Sequence, residues 1–333
     1  MTRSLIFTCA GGIYLEKLVA ILKKHNPDKK IYGLDANTKL NNDQNLFTQV
    51  FNIPTPDKKN YFTELLKNIK TIGPSILIPG ADEEAFLLSE YSQELESRNI
   101  LCNVMNKKEI SIIRDKFLFN SKINKEYSNY SVECFEVKNF SELKSICYDL
   151  GYPANKVIFK PKIGRGRRDT FIISSKNVKS KYSDSIPYIP LKEFENNNIF
   201  NKNSMIAMEF IDGKSITIDV LADRGTLIQC VVREWNENWR FPFPGQKIIC
   251  NSKVLDLVNY VSTNYNLHGL IDIDAIMTSE GRIVLLEVNP RPSGSIVVTE
   301  KAGFPILNML ENVLEGRPIN KFNINKQIEI NNL

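Results

Sequence analysis

The sequence predicts an α/β protein that opens with a doubly wound parallel sheet and ends in a mixed, largely hairpin-built portion. Three observations predict it. Short apolar runs of strand length alternate with amphipathic helices over the first 80 residues or so. A late hairpin carries polar residues at strand spacing. The 333 residues exceed what one simple core organises, so two or three subdomains are expected.

The N-terminal elements read in order. Ser4 to Cys9 is an apolar strand, followed by Ala10-Gly11-Gly12 and a helix from about Tyr14 to Lys24, with apolar positions at helical spacing. Ile31 to Leu34 is the next strand, ending at Asp35; Tyr61 to Ile69 is a helix; Ser75 to Ile78 is a strand ending at Pro79-Gly80. Pro79-Gly80-Ala81-Asp82-Glu83-Glu84 then lies at a strand's carboxyl end, where α/β sheets bind ligands, although Asp82 serves equally well as an N-cap.

Further along, Val157-Ile158-Phe159-Lys160-Pro161-Lys162 is a short strand ending in lysine. It runs into Gly164-Arg165-Gly166-Arg167-Arg168-Asp169 and then into Thr170-Phe171-Ile172-Ile173. Strand, basic glycine loop and strand make a flap able to close over a triphosphate, with glycines for close backbone approach and Lys160 as a point charge. A solvated turn explains Arg167 and Arg168 as well. The Lys176 to Asn203 stretch is rich in Lys, Ser and Asn and reads as loops, and Asn251 to Tyr265 reads as an amphipathic helix used for packing.

The richest chemistry lies near the end. In Val284-Leu285-Leu286-Glu287-Val288-Asn289-Pro290-Arg291, residues i and i+2 share a strand face, so Glu287, Asn289 and Arg291 can converge although Pro290 ends the strand; the plainer alternative is a strand end with a polar rim. Two hard oxygen donors and a guanidinium suit magnesium carrying phosphates. Upstream, Gly269 to Met277 alternates like a strand with one wet face, and Thr278-Ser279-Glu280-Gly281-Arg282 is a hairpin turn. The hairpin sets Asp274 opposite the strand of Glu287, where the pair can hold magnesium bridging ATP phosphates. Asp272 is open to a metal role, a substrate hydrogen bond or a solvated face.

Composition excludes other classes. Net charge is +5, from 43 basic and 38 acidic residues, without the basic stripe of a nucleic-acid binder. The six cysteines, at 9, 102, 134, 147, 230 and 250, lack metal-type spacing. With no signal core and no membrane-length apolar run, they imply reduced thiols in a cytoplasm. His25 and His268 are the only histidines, too few for a histidine metal cluster. Gly213-Lys214-Ser215 resembles the end of a Walker A loop, but the motif's first glycine would fall on Met208. Gly164 to Asp169 lacks the last glycine of a dinucleotide fingerprint and precedes strand-like residues, so a dehydrogenase reading is poor.

Taken in order, the Asp115-Lys116 pair, Phe159-Lys160-Pro161, the Gly164–Gly166 loop, Met208-Glu209-Phe210-Ile211-Asp212-Gly213, the Asp274 strand and Glu287-Val288-Asn289-Pro290-Arg291 resemble the ATP-grasp superfamily over nearly the whole chain. Within it the chain looks like the carbamoyl-phosphate-synthase-like and carboxylate–amine-ligase-like branch. The resemblance implies an ATP-grasp fold: an N-terminal α/β domain over 1–112, a small lid over 113–204 and a catalytic subdomain over 205–333.

The implied activity is ATP-dependent activation of a small-molecule carboxylate as an acyl phosphate for attack by an amine or similar nucleophile. Activation of bicarbonate, or a non-catalytic ATP-binding module, are the alternatives. Lys116 and Lys160 resemble the lysines that contact ATP phosphates, aided by Gly164 and Gly166. Glu209, Phe210 and Ile211 resemble the hinge that binds adenine. Asp274, Glu287 and Asn289 resemble the ligands of magnesium, with manganese as substitute, and Arg291 the arginine at the acyl phosphate. The partners implied are the two small-molecule substrates, with neither nucleic acid nor membrane, and a homodimer is allowed for. Two departures stand out. Lys214-Ser215 replaces the glutamate that many relatives use for the ribose, and Asp274 replaces a glutamate or glutamine. For the substrate, Arg233-Glu234-Trp235 and the run from Trp239 to Gln246 either bind a carboxylate or pack a loop, and Pro292-Ser293-Gly294-Ser295 is able to aim amides at an anion.

Overall fold

A computed structural model describes residues 3–37, 46–164, 168–175, 186–195, 197–202, 204–236 and 243–333. The first sheet holds β1 (Ser4–Thr8), β2 (Ile31–Asp35), β3 (Gln49–Asn52), β4 (Ser75–Ile78) and β5 (Ile100–Cys102), all parallel, in the order β3-β2-β1-β4-β5. Side-chain alternation along β1 explains why it is wound on both faces. Leu5 and Phe7 pack with Leu18 and Val19 of the helix Leu15–His25, whereas Ile6 packs with Tyr61, Leu65 and Ile69 of the helix Tyr61–Ile72. The expected strands and helices therefore form, and β3 and β5 extend the sheet at its edges. The chain order reverses between β1 and β4, so the carboxyl ends of those strands flank the sheet's switch point.

The second sheet holds β6 (Cys134–Val137), β7 (Val157–Pro161), β8 (Phe171–Ile173), β9 (Tyr188–Ile189) and β10 (Met205–Glu209), in the order β6-β10-β7-β8-β9. Along β7 the pleat buries Val157 and Phe159 in this sheet's core and turns Ile158 and Lys160 to the opposite face.

The third sheet is antiparallel throughout: β11 (Lys214–Asp223), β12 (Thr226–Trp235), β13 (Gln246–Ile249), β14 (Gly269–Met277), β15 (Ile283–Asn289) and β16 (Ile328–Ile330), in the order β15-β14-β11-β12-β13-β16. One face packs against the helix Ser252–Asn264, whose N-cap Asn251 accepts from the Lys253 and Val254 amides. Ile110 and Ile113 of the helix Lys107–Ile113, with Phe119 and Ile123 of the helix Lys116–Glu126, join that same core. The other face shares a core with the first sheet through the helices Val297–Lys301 and Ile306–Leu314.

β14 departs from the expected one-sided strand. It lies inside the sheet, with Ile271 and Ile273 in one core and Leu270 in the other, so Asp272 is 4% exposed and its part of the polar face is covered, while Asp274 opens onto a cleft. Among the described residues, no helix is long and apolar enough to cross a membrane.

Candidate active site

The β14–β15 hairpin builds the centre of the site. Its turn closes with the Thr278 amide donating to the Arg282 carbonyl at 2.9 Å, and Gly281 takes φ +75°, a conformation open to glycine. The resulting register sets Asp274 opposite Glu287 and Asp272 opposite Asn289. A bulge between Asp274 and Ala275 leaves Leu286 unpaired, and both Leu286 and Glu287 line the cleft.

Hydrogen bonds fix these side chains. The Thr217 hydroxyl donates to Asp274 Oδ1 at 3.1 Å and itself accepts from Trp235 Nε1 at 3.0 Å. Asn289 Nδ2 donates to Asp272 Oδ2 at 3.2 Å and to Asp274 Oδ2 at 3.4 Å, leaving its carbonyl oxygen as the atom suited to a cation. Thr217 carried no signal in the sequence, and Trp235, expected either to bind a carboxylate or to pack a loop, instead holds Thr217 in place. Thr217 meets Asp274 only because β11 pairs with β14, 57 positions away.

Arg291, past Pro290, reaches across to the first sheet. Its Nε forms an ion pair with Asp82 Oδ1 at 2.9 Å, and its Nη1 donates to Asp272 Oδ2 at 3.3 Å and to the Pro292 carbonyl at 3.0 Å. Asp82 is the first residue of the helix Asp82–Glu90, whose N-cap is Ala81, so the capping role is excluded. Burial would lower the Arg291 pKa, but Asp82, Asp272, Asp274 and Glu287 outweigh it and keep the guanidinium charged. Burial, then Asp274 alongside, pushes the Asp272 carboxyl well above the usual carboxylate range, and its Oδ1 has no hydrogen-bond partner.

The lysines arrive from two other elements. Asp115 caps the helix Lys116–Glu126 by accepting from the Phe117 and Leu118 amides, and so delivers Lys116 at the helix start. Lys116 Nζ donates to the Gly164 carbonyl at 2.6 Å and lies 3.1 Å from Glu287 Oε2. Lys160 lines the same cleft from β7, and burial together with Lys116 depresses its pKa against the pull of Glu287. Burial alone would raise the Glu287 carboxyl; Lys116 and Lys160 overcome it and hold it down at about 2. Lys162 is turned away, onto Asp115 at 3.3 Å and Glu136 at 2.7 Å.

The cleft encloses about 1190 Å³, open mouth included, and Lys116, Lys160, Asp274 and Glu287 lie in its wall with Glu209, Phe210 and Ile211. Glu209 ends β10, and Phe210 and Ile211 follow it. Among the described residues no hydrogen bond engages the main chain of Phe210 or Ile211. Gly213 then passes against β14 so closely that a Cβ would meet the Met277 carbonyl oxygen at 2.5 Å. Gly164 is in the cleft wall, whereas Gly166, with Arg165 and Arg167, lies outside the described residues.

The expected substrate segment divides. Arg233 is fully buried and paired through two bonds with Asp219, at 2.8 and 2.7 Å, with Gln246 and Ser295 taking Nη1. It serves packing rather than a ligand. Trp239 to Pro242 lie outside the described residues. In the Pro292–Ser295 loop, the Ser295 amide donates to Ser293 Oγ, so that donor is spent internally.

Comparison with known proteins bears on this arrangement. A profile of the family described as ATP-grasp in the biosynthetic pathway with Ter operon matches residues 201–333. The ADP complex of purK, N5-carboxyaminoimidazole ribonucleotide synthetase, superposes with a TM-score of 0.69 over 99% of this chain and 82% of that one, at 16% identity. Residues 201–333 thus match an ATP-grasp family, and the chain as a whole has the fold of that structure. Another likeness is the L-amino acid ligase from Bacillus licheniformis, with a TM-score of 0.64, 15% identity and coverage of 94% of this chain and 74% of that one. In sequence, the carbamoyl phosphate synthase large chain of Clostridium perfringens is 22% identical over 163 residues, 46% of this chain. The match spans 15% of that relative's length.

Magnesium fits the residues present. Among the described residues no three His, Cys, Asp or Glu side chains form a closed metal cage. An ATP-grasp site needs none, because magnesium is commonly held by one or two carboxylates with substrate phosphates completing the shell. Asp274 opposite Glu287, with the Asn289 carbonyl oxygen beside them, is such an open, hard-oxygen set.

Proposed function

We propose that the protein is an ATP-dependent ligase that activates a small-molecule carboxylate as an acyl phosphate for an amine or similar nucleophile, releasing ADP and phosphate. The observation that carries this reading is the meeting of Lys116, Lys160, Asp274 and Glu287 in one cleft whose far wall is the Glu209–Ile211 segment.

On this reading the main chain of Phe210 and Ile211 receives the adenine edge, with Glu209 beside it. Lys116 and Lys160 hold the phosphates, helped by Gly164, with Gly166 assigned to the same loop. The second sheet, within 113–204 and continued by β10, covers the nucleotide; the segment 205–333 supplies the catalytic strands; and 1–112 brings Asp82 to Arg291. Asp274, Glu287 and Asn289 would hold magnesium, or manganese in its place. Magnesium when bound neutralises charge on the transferring phosphoryl group.

The residues then divide the chemistry. A carboxylate oxygen of the substrate attacks the γ-phosphorus, the bond to the β–γ bridging oxygen breaks, and ADP leaves. The nucleophile's nitrogen attacks the acyl carbon, phosphate departs, and the nitrogen loses a proton. Arg291 stabilises the negative charge that develops at the acyl-phosphate centre. A non-catalytic ATP binder has no need of that arginine, which favours the enzyme. The carbamoyl phosphate synthase likeness supports bicarbonate as a second candidate for the activated acid. The reduced-thiol composition supports a cytoplasmic setting.

The test is release of ADP and phosphate from magnesium-ATP across pools of carboxylic acids and amines, with and without bicarbonate. Release that requires both an acid and a nucleophile is expected. Release driven by bicarbonate alone selects the second reading, and ATP binding with no release in any pool contradicts both.

A further inference from the structure

A second, smaller hollow opens beside the phosphate end of the cleft, sharing Lys116, Gly164 and Glu287 with it. Its remaining walls come from separate elements: Asp82 and Glu83 at one helix start, Ile113 and Arg114 where the helix Lys107–Ile113 ends, and the residues just past Glu287. It encloses about 360 Å³, mouth included, room for part of a small molecule rather than a second nucleotide.

Arg114 is the unusual member of this wall. Its guanidinium lies 4.3 Å from the centre of the Phe86 ring, which fixes the plane of the fork. Its Nε is buried without a hydrogen-bond partner, and among the described residues no ion pair reaches the guanidinium. Such a group is left in an unfavourable state until an acceptor arrives. Of the carboxylates lining this hollow, Asp82 pairs with Arg291 at 2.9 Å and Glu287 with Lys116 at 3.1 Å, while Glu83 is exposed. Ile113 and Ile163 add apolar surface between Arg114 and the cleft.

We propose that Arg114 anchors an anionic group of the co-substrate other than its reacting centre. This rests on the ligase reading and narrows it to small molecules carrying an additional carboxylate or phosphate on a short, partly apolar stem. The planar fork matches either group with two parallel bonds. The opening at Glu287 puts the other end of the anchored molecule at the phosphoryl-transfer centre.

Phenylglyoxal, which condenses with accessible guanidinium groups, tests this on the whole chain with magnesium-ADP present, read by peptide mass spectrometry at Arg114. The probes are inorganic phosphate, succinate and a pool of L-amino acids, with succinamide and the amino-acid amides as controls that lack the carboxylate. Arg114 should be labelled. At about ten times its dissociation constant, at least one anionic probe should slow labelling roughly tenfold, and the amides should not. Protection by phosphate alone or by carboxylates alone identifies the group. An unreactive Arg114, or labelling indifferent to every anion, overturns the proposal.

Arg114→Met and Arg114→Lys should keep the rise in melting temperature caused by magnesium-ATP. Loss of that rise in Arg114→Met would assign Arg114 to the nucleotide, overturning this inference while leaving the ligase reading. A wild-type chain with no such rise would defeat the ligase reading, and labelling would still decide the anion site. With a substrate identified by ADP release, Arg114→Met should raise its KM roughly thirtyfold with the KM for ATP unchanged, and Arg114→Lys should recover part of the loss.

Discussion

Glu287 shows how the site is assembled residue by residue. Burial disfavours its charge, yet Lys116 at 3.1 Å and nearby Lys160 keep it ionised, with its pKa held at about 2. A carboxylate fixed in that state is ready for a cation at any physiological pH. Glu287→Gln preserves shape and removes the charge. Turnover should fall at least about a hundredfold with the melting temperature little changed, measured by ADP release and calorimetry. Unchanged ADP release by the pure variant would remove Glu287 from the mechanism. Arg291 differs, because its neighbours are Asp82 and Asp272 rather than the lysines. Arg291→Lys keeps the charge but loses the fork, so turnover should drop roughly tenfold or more while ATP affinity by titration stays near wild type. Loss of ATP binding would move Arg291 into the nucleotide site.

Elements, rather than single side chains, set the positions of these groups. Gly213 connects the segment after β10 to β11 and leaves no space for a methyl group against the Met277 carbonyl. Gly213→Ala should displace the end of β14, lower stability by about 1–3 kcal/mol and weaken ATP binding. Asn251→Ala, at the N-cap of the helix Ser252–Asn264 behind the sheet, should lower stability by about 1 kcal/mol and leave ATP affinity alone. Denaturant unfolding and ATP titration of both variants separate the two effects; equal ATP affinity in the two would show that the close passage at Gly213 is unrelated to the nucleotide.

Elements were also where the sequence was most and least legible. The alternation from Ser4 to Ile78 and the hairpin from Gly269 to Asn289 are local patterns, and both formed where expected. The pairing of Asp274 with Thr217, the ion pair between Arg291 and Asp82, and the enclosure of Arg233 by Asp219 and Ser295 depend on strands and helices meeting far apart in the chain. No local periodicity encodes such meetings. The same limit explains Asp272, whose alternation with isoleucines suggested a wet face, but which lies in a strand with a core packed on each face of its sheet.

Across the whole molecule, the core shared by the first and third sheets places Glu300 in its interior, 2% exposed, where its carboxylate accepts from the Leu307 amide at 2.8 Å. Burial raises its pKa from 4.5 to about 7. The folded chain therefore binds a proton that the unfolded chain releases between those values. Stability contributed by this group is present below the unfolded value and is lost as pH rises through about 7. The loss should amount to roughly 3 kcal/mol in denaturant unfolding compared at the two ends of that window. Glu300→Gln keeps an acceptor for Leu307 and should flatten this part of the profile; an unchanged slope would place the titration elsewhere.

The three sheets bring the cleft with Lys116 and Lys160, the carboxylates of Asp274 and Glu287, and Arg291 to one place, and the proposed function has the γ-phosphoryl group pass to a carboxylate there. Transfer of isotope measures this directly. Carboxylic-acid pools and bicarbonate, each enriched in ¹⁸O at the carboxyl oxygens, are incubated separately with the protein, magnesium-ATP and an amine pool, and the released phosphate is analysed by mass spectrometry. Acyl-phosphate chemistry predicts one ¹⁸O per phosphate from the acid pool, dependent on the acid and abolished in Glu287→Gln. Phosphate released with ADP but carrying no ¹⁸O from either source would mean that water, not a carboxylate, receives the phosphoryl group, and would contradict the account.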